Sequence, residues 1–261
     1  MIPTHHLTFL FTLILVLVVD VLRCLSNDDP PYLSCRPFNC GDITGVQYPF
    51  REKGNLNDCG HPGYDLECGE DNATIVINSE RYRVLNIDHG HRVLKVARVD
   101  LWDINICPQK LVNTTLDLNF FGYAPGTINL TLFYGCSLLS SSAYINTIIF
   151  LSQDSCRAST NNGLSGPIFY GLLPNPFTTP WICGASMVVP VIGSSEVKYY
   201  YDLGGVFKQG FEVHWIVNDS FCGECLDSGG GCGYNSTLEQ PTCFCPDGAY
   251  PTTCPPGPSG M

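Results

Sequence analysis

The chain has 261 residues, a formal net charge of −11 and only 14% charged residues, with 11% aromatics, 26 Gly, 19 Pro and 15 Cys. So acidic a chain is a poor match for nucleic acid or an anionic membrane surface. The glycine, proline and aromatic content indicates a mainly β, turn-rich protein, long enough for one large core or two small ones.

Leu7 to Val19 reads LTFLFTLILVLVV, a thirteen-residue apolar run. It is short for a membrane-spanning helix and right for the h-region of a signal peptide. His5 and His6 precede it without Lys or Arg, and Cys24 and Ser26 supply small residues at −3 and −1. These features predict a signal peptide over 1–26, cleaved after Ser26; the alternative is an uncleaved anchor. Cleavage removes Cys24 and leaves an even number of cysteines: Cys35, Cys40, Cys59, Cys68, Cys107, Cys136, Cys156, Cys183, Cys222, Cys225, Cys232, Cys243, Cys245 and Cys254. In an oxidising compartment most should pair as disulfides. Five sequons, at Asn72, Asn113, Asn129, Asn218 and Asn235, agree with secretion and predict N-glycosylation at the surface.

The stretch from Cys35 to Cys68 is dense in Cys, Gly and Pro, which implies a backbone set by cross-links and tight turns. Its residues Cys35, Phe38, Cys40-Gly41, Tyr48-Pro49-Phe50, Cys59-Gly60, Pro62-Gly63-Tyr64, Leu66 and Cys68 give it a long and specifically spaced pattern. That pattern resembles the galacturonan-binding domain of plant wall-associated receptor kinases. The resemblance implies an extracellular carbohydrate binder. Beyond Cys68, Thr74–Ile77, Tyr82–Ile87 and Arg92–Trp102 read as strands, with turn signals at Asn78-Ser79 and His89-Gly90. Together they predict a small antiparallel meander over about 32–110, closed by Cys107.

Residues 27–110 hold nine Lys/Arg against thirteen Asp/Glu; residues 111–261 hold three against ten. Arg81, Arg83, Arg92, Lys95 and Arg98 lie close in sequence, with His89 and His91 between them. Strand pairing can gather several of them on one face, and a polyuronide offers one carboxylate per sugar for bidentate arginine recognition. The competing reading is a solvated sheet face balanced by Glu80, Asp88 and Asp100. Tyr48 and Tyr64, with Phe50, Tyr82 and Trp102, form a second candidate set, since aromatic faces pack on sugar C–H groups; core packing competes here too. Calcium bridging to an acidic polymer is conceivable, but no calcium-loop motif is present.

From 111 onward, Leu116, Leu118 and Phe120 alternate, as do Ile128, Leu130, Leu132 and Tyr134, which puts Asn129 on the polar side. Ala143–Leu151 is another predicted strand, 157–185 a loop region, and Met187–Ile192 a strand broken or made an edge by Pro190. Ser194 is placed to cap a short helix running to about Leu203. Phe211, Val213, Trp215 and Val217 alternate as a half-buried strand.

Six cysteines crowd the end, from Cys222 to Cys254. Gly210-Phe211, Trp215, Cys222-x-x-Cys225, Ser228-Gly229-Gly230, Cys232-Gly233 and Cys243-Phe244-Cys245-Pro246-Asp247-Gly248 resemble the wall-associated-kinase C-terminal module. In leaf-rust-resistance-type receptor-like kinases that module follows the galacturonan-binding one. It is expected over 111–254, with 255–261 a linker-like tail. Zinc ligation, a redox Cys-x-x-Cys and an EGF-like tail compete for the same cysteines. Sequence does not select among the fifteen pairings six cysteines allow. If those six close among themselves and all thiols pair, however, the five cysteines of 27–110 and the three of the middle must share an odd number of bridges.

No Gly-x-Ser-x-Gly elbow, His-Glu-x-x-His, phosphate loop or kinase motif occurs, so no catalysis and no cofactor are expected. Two functions remain. One is binding of acidic cell-wall polysaccharide, pectic galacturonan above all, by a secreted chain or the outer portion of a receptor that continues into a span. The other is binding of a secreted peptide or co-receptor, which the EGF-like tail favours. In neither is the mature chain expected to span a membrane. Because an unperturbed histidine titrates near ~6.5, His89 and His91 would add positive charge to such a site at acidic wall pH.

Overall fold

The computed structural model describes residues 30–54, 59–102, 107–108, 110–138, 149–156, 166–172, 181–193 and 202–256. The predicted signal peptide lies outside them, as do residues 143–148 of one predicted strand and 194–201 of the predicted helix.

The fold is mainly β. The amino-terminal region carries helix α1 (Pro31–Ser34) and strands β1 (Phe38–Cys40), β2 (Ile43–Val46), β3 (Arg51–Glu52), β4 (Asp65–Cys68), β5 (Ala73–Ile77), β6 (Glu80–Asp88) and β7 (Val93–Arg98). The middle carries β8 (Phe121–Tyr123), β9 (Thr127–Leu138), β10 (Ile149–Cys156), β11 (Gly166–Gly171), β12 (Trp181–Ile192) and helix α2 (Leu203–Gln209). The end carries β13 (Phe211–Trp215), helix α3 (Cys222–Asp227), β14 (Gly231–Asn235), β15 (Gln240–Cys245) and β16 (Gly248–Tyr250).

The predicted meander exists as the antiparallel run β4 to β7, but it does not close on itself. Its sheet has seven strands in the order β3-β4-β5-β6-β7-β13-β8. Strand β13 pairs antiparallel with β7, setting Phe211 opposite Val96 and Val213 opposite Leu94, so two strands from beyond residue 110 complete the sheet. The period-2 pattern of β13 explains the docking. Phe211, Val213 and Trp215 are all but fully buried, each burial favouring the fold by roughly 1.5–3 kcal/mol. Gly210, at φ 67°, turns the chain into this strand where a Cβ would collide with the Val96 carbonyl. The inner face packs Tyr82, Val84, Leu94 and Val96 against Phe50, Tyr64 and Trp215, with Phe50 edge-on to Tyr64 at 5.8 Å and to Trp215 at 5.1 Å.

A second sheet has the order β10-β11-β9-β12. Its core contains Leu130, Leu132, Tyr134, Met187 and Val189, capped by Leu203 and Phe207 of α2. Pro190 sits on β12, an edge strand, as its missing N–H requires, and Asn129 is exposed on the polar side of β9. The third sheet, β14-β15-β16, packs with α3 around the terminal cysteines, and Tyr48 enters that cluster with its ring edge-on to Phe221 at 5.5 Å.

Three expectations are corrected. Leu116–Phe120 is not a strand: Leu118 is 72% exposed, and Asp117 accepts hydrogen bonds from the Asn119, Phe120 and Phe121 amides, so turn chemistry overrides the alternation. The strand starting at Arg92 stops at Arg98 and continues as a 3-10 turn over Val99–Leu101. The 157–185 stretch contains β11 and the start of β12. A helix begins at Leu203, where the Asp202 carboxylate accepts the Gly205 N–H at 2.9 Å and caps it.

The disulfides are Cys35–Cys59, Cys40–Cys68, Cys107–Cys156, Cys136–Cys183, Cys222–Cys232, Cys225–Cys243 and Cys245–Cys254. The last six cysteines close among themselves, and Cys107–Cys156 is the single bridge between the first two regions. No helix among the described residues is long and apolar enough to cross a membrane.

Candidate functional site

Strand register puts Arg81, Arg83 and Lys95 on the outer face of the seven-stranded sheet, beside Glu67, Thr74 and Glu212. Most of this face is a checkerboard of charge. Arg81 pairs with Glu67 at 2.9 Å, which also takes Lys53 at 2.6 Å; Arg51 pairs with Asp65 at 2.6 Å; Arg83 pairs with Asp42 at 3.4 Å and lies 4.8 Å from the Trp102 ring centre. Lys53, foremost, and Arg81 hold the Glu67 carboxyl below the usual carboxylate range. Lys95 makes no ion pair among the described residues. The balanced-face reading therefore accounts for Arg81 and Arg83, with Glu67 and Asp42 as partners in place of the acids singled out in the sequence.

Several predicted contacts are interior. Arg98 is 2% exposed: its Nε and Nη2 bind Asp100 at 2.9 and 2.7 Å, and its Nη1 donates to the Val112 carbonyl at 2.6 Å and to Thr114 Oγ1 at 3.1 Å. Burial alone would lower its pKa, but Asp100, with Tyr82 and Glu80, raises it. Its place on the inner face makes it a structural cation, not a sugar contact. Tyr64 is fully buried, donating to the Phe120 carbonyl at 2.8 Å and accepting the Val217 N–H at 3.4 Å. Tyr48 is likewise core, its hydroxyl pKa raised chiefly by burial. His89 is lodged between Phe50 and Trp215, and burial lowers its pKa, which opposes the gain of charge at acidic pH expected from sequence. His91 is exposed, with Nδ1 2.8 Å from Asp88.

Two clefts flank Tyr48 and share Gln47 and Tyr48 as a common wall. The first has a volume of about 140 Å³ and is lined by Arg36, Phe38, Asn39, Arg51 and Glu52. Arg36 is exposed and makes no ion pair among the described residues. The second, about 360 Å³, lies at the joint with α3 and is lined by His89, Arg92, Asp219 and Gly223. Here Arg92 Nε binds Asp219 at 2.7 Å, and Asp219 also accepts the Trp215 indole N–H at 3.0 Å. Tyr48 Oη and His89 Nε2 are buried without a hydrogen-bond partner. Thus Tyr48, His89 and Arg92 converge on one cleft, whereas Arg81, Arg83 and Lys95 lie elsewhere. Sequence reasoning missed Arg36, Asn39 and Gln47, none of which belongs to a charge run.

The Sγ atoms of Cys243, Cys245 and Cys254 lie within 4.8 Å of one another, but each is consumed in a disulfide, so the cluster offers no thiolate for zinc or redox work. Asn113, Asn129 and Asn218 are exposed, and Asn72 and Asn235 half-buried.

A family model described as wall-associated receptor kinase galacturonan-binding matches residues 35–98, and one described as wall-associated receptor kinase C-terminal matches 155–248. Both describe non-catalytic modules of receptor ectodomains. The chain is 26% identical over 257 residues to the leaf rust 10 disease-resistance locus receptor-like protein kinase-like 2.1 of Arabidopsis thaliana, covering 94% of this chain and 38% of that protein. It is 30% identical over 236 residues to the 2.8 protein of the same organism, covering 84% of this chain and 25% of that one. It therefore spans well under half the length of the curated relatives it matches. No solved structure matches the chain. With both modules present in this order, the chain belongs to the family of extracellular regions carried by wall-associated and leaf-rust-resistance-type receptor-like kinases.

Proposed function

We infer that the protein binds acidic cell-wall polysaccharide, pectic galacturonan, on the outer side of the cell and without catalysis of its own. Family membership supports galacturonan-type binding and a wall-facing location. The observation that carries the reading is Arg36, an unpaired cation on the wall of a cleft inside the segment matched by the galacturonan-binding model. Asn39 and Gln47 add amide groups beside it for sugar hydroxyls, and Phe38 an apolar surface for a sugar ring. A charged hydrogen bond to a carboxylate contributes roughly 1.5–3 kcal/mol. Retention on polygalacturonate against a neutral glucan, at two salt concentrations, tests the reading. Wild type should prefer the acidic polymer and weaken with salt, and Arg36→Ala should lose about tenfold or more in affinity. Equal retention on both polymers would refute it.

A protein partner is the second reading, favoured by Leu118 and Ile216. They are 72% and 52% exposed, and their segments are joined by the Ile216 N–H to Phe120 carbonyl hydrogen bond at 3.0 Å. Retention of a secreted peptide or co-receptor that is lost in Leu118→Ser/Ile216→Ser, with polygalacturonate binding absent, would favour it.

A further inference from the structure

The two clefts beside Tyr48 differ in charge, and the difference specifies a ligand. The first is lined by Arg36 and Glu52, with Arg51 spent on Asp65, so its charges balance and Arg36 is the cation left without an acid partner among the described residues. In the second, Arg92 is spent on Asp219, and Asp227 adds an exposed carboxylate, so the balance is negative. An ionised uronosyl residue fits the first and is repelled by the second. The second nevertheless offers about 360 Å³, Gln47, the apolar Leu226, and a wall in which Tyr48 Oη and His89 Nε2 have no partner.

Resting on the galacturonan reading above, we propose that the site is a two-lobed groove for a mixed-charge pectic chain. One ionised uronosyl residue sits against Arg36, and an uncharged pyranose, a methyl-esterified uronosyl unit or a neutral sugar, sits across Tyr48 in the lobe walled by Arg92–Asp219 and α3. The binding surface thereby includes residues 219–227, outside the 35–98 segment matched by the galacturonan-binding model. The lobe distinguishes esterified from ionised neighbours by repulsion. A carboxylate brought to roughly 6 Å from Asp227 in solvent-like dielectric loses about 0.7 kcal/mol, near threefold in affinity.

Gly223 provides the test. It lines the second lobe, is exposed, and a Cβ there meets nothing within 4 Å, so a side chain can be added without disturbing the fold. Binding is measured at low ionic strength to three oligomers of equal length: fully ionised galacturonate, the same partly methyl-esterified, and one in which neutral sugar alternates with uronate. Wild type should bind one or both mixed-charge oligomers about threefold more tightly than the ionised one, and whichever of the two is preferred identifies the uncharged unit. Gly223→Lys should erase the preference by tightening the ionised oligomer, and Gly223→Glu should widen it. If wild type binds the ionised oligomer at least as well and neither variant changes the ratio, the two-lobed groove is wrong while galacturonan binding stands. If wild type binds none of the three, the galacturonan reading itself fails.

Discussion

Replacing Arg98 separates two roles that a cluster of arginines in sequence leaves confounded. Arg98→Ala removes a guanidinium that is 2% exposed and strips the donors from the Val112 carbonyl and Thr114 Oγ1, both met within 3.1 Å. It also removes the two-pronged bond to Asp100 and the longer contact to Glu80 at 3.7 Å. Breaking a buried pair from one side costs ~3–5 kcal/mol. The Asp100 and Glu80 side chains retain 34% and 27% exposure and regain some water, so the lower end, about 3 kcal/mol, is expected. For a chain of this size that corresponds to a fall of about 6–12 °C in Tm. Arg81→Ala is the control: Arg81 is 54% exposed beside Glu67, and such surface pairs contribute ~0–1 kcal/mol. Urea unfolding with disulfides intact, followed by tryptophan fluorescence, measures both. Polygalacturonate retention by the folded Arg98→Ala protein should equal that of wild type. A variant with an unchanged unfolding midpoint but lost retention would refute the structural role assigned to Arg98.

Two half-buried histidines give stability a pH dependence. Burial lowers the pKa of both His89 and His61. Their contribution is therefore complete above the ordinary histidine range and lost as pH falls through their folded values. Urea midpoints should drop between pH 7.5 and pH 5, less so in His89→Gln; parallel profiles would exclude His89 as the source. Removing the Cys107–Cys156 bridge, which spans 49 residues, should cost about 4 kcal/mol by loop-closure entropy, read as a lowered urea midpoint in Cys107→Ser/Cys156→Ser. An unchanged midpoint would mean that the two regions are held together without it.

The fold class was legible in the sequence because glycine, proline and aromatic content and period-2 runs are local signals. β9 and β13 follow the alternation read from their residues, and β5 and β6 stand where strands were read. The partner of β13 was not legible: Phe211, Val213 and Trp215 mark a half-buried strand, but nothing local says that its neighbour is Leu94 to Val96. The site was harder. Arg81, Arg83 and Arg98 drew notice as a run, yet a run records neither which face a strand turns inward nor which acids stand across the sheet. Arg36 stood alone in sequence. It gains significance only through the fold that sets it beside Gln47 and Tyr48. The cysteine count needed little geometry: once the last six cysteines close among themselves and every thiol pairs, parity demands a link between the first two regions, and Cys107–Cys156 supplies it.

The late arrival of Phe211–Trp215 bears on how the molecule is made. Roughly a hundred and ten residues separate Arg98 from its sheet's missing neighbour. Ribosomes add ~5–20 residues per second, so the Val93–Arg98 flank stays bare for about 6–23 s during translation. A nascent chain in that interval presents a sticky, ladder-ready margin to chaperones and to other copies of itself. A piece trimmed to 35–98 would keep that margin permanently, and studying the amino-terminal module in isolation invites aggregates.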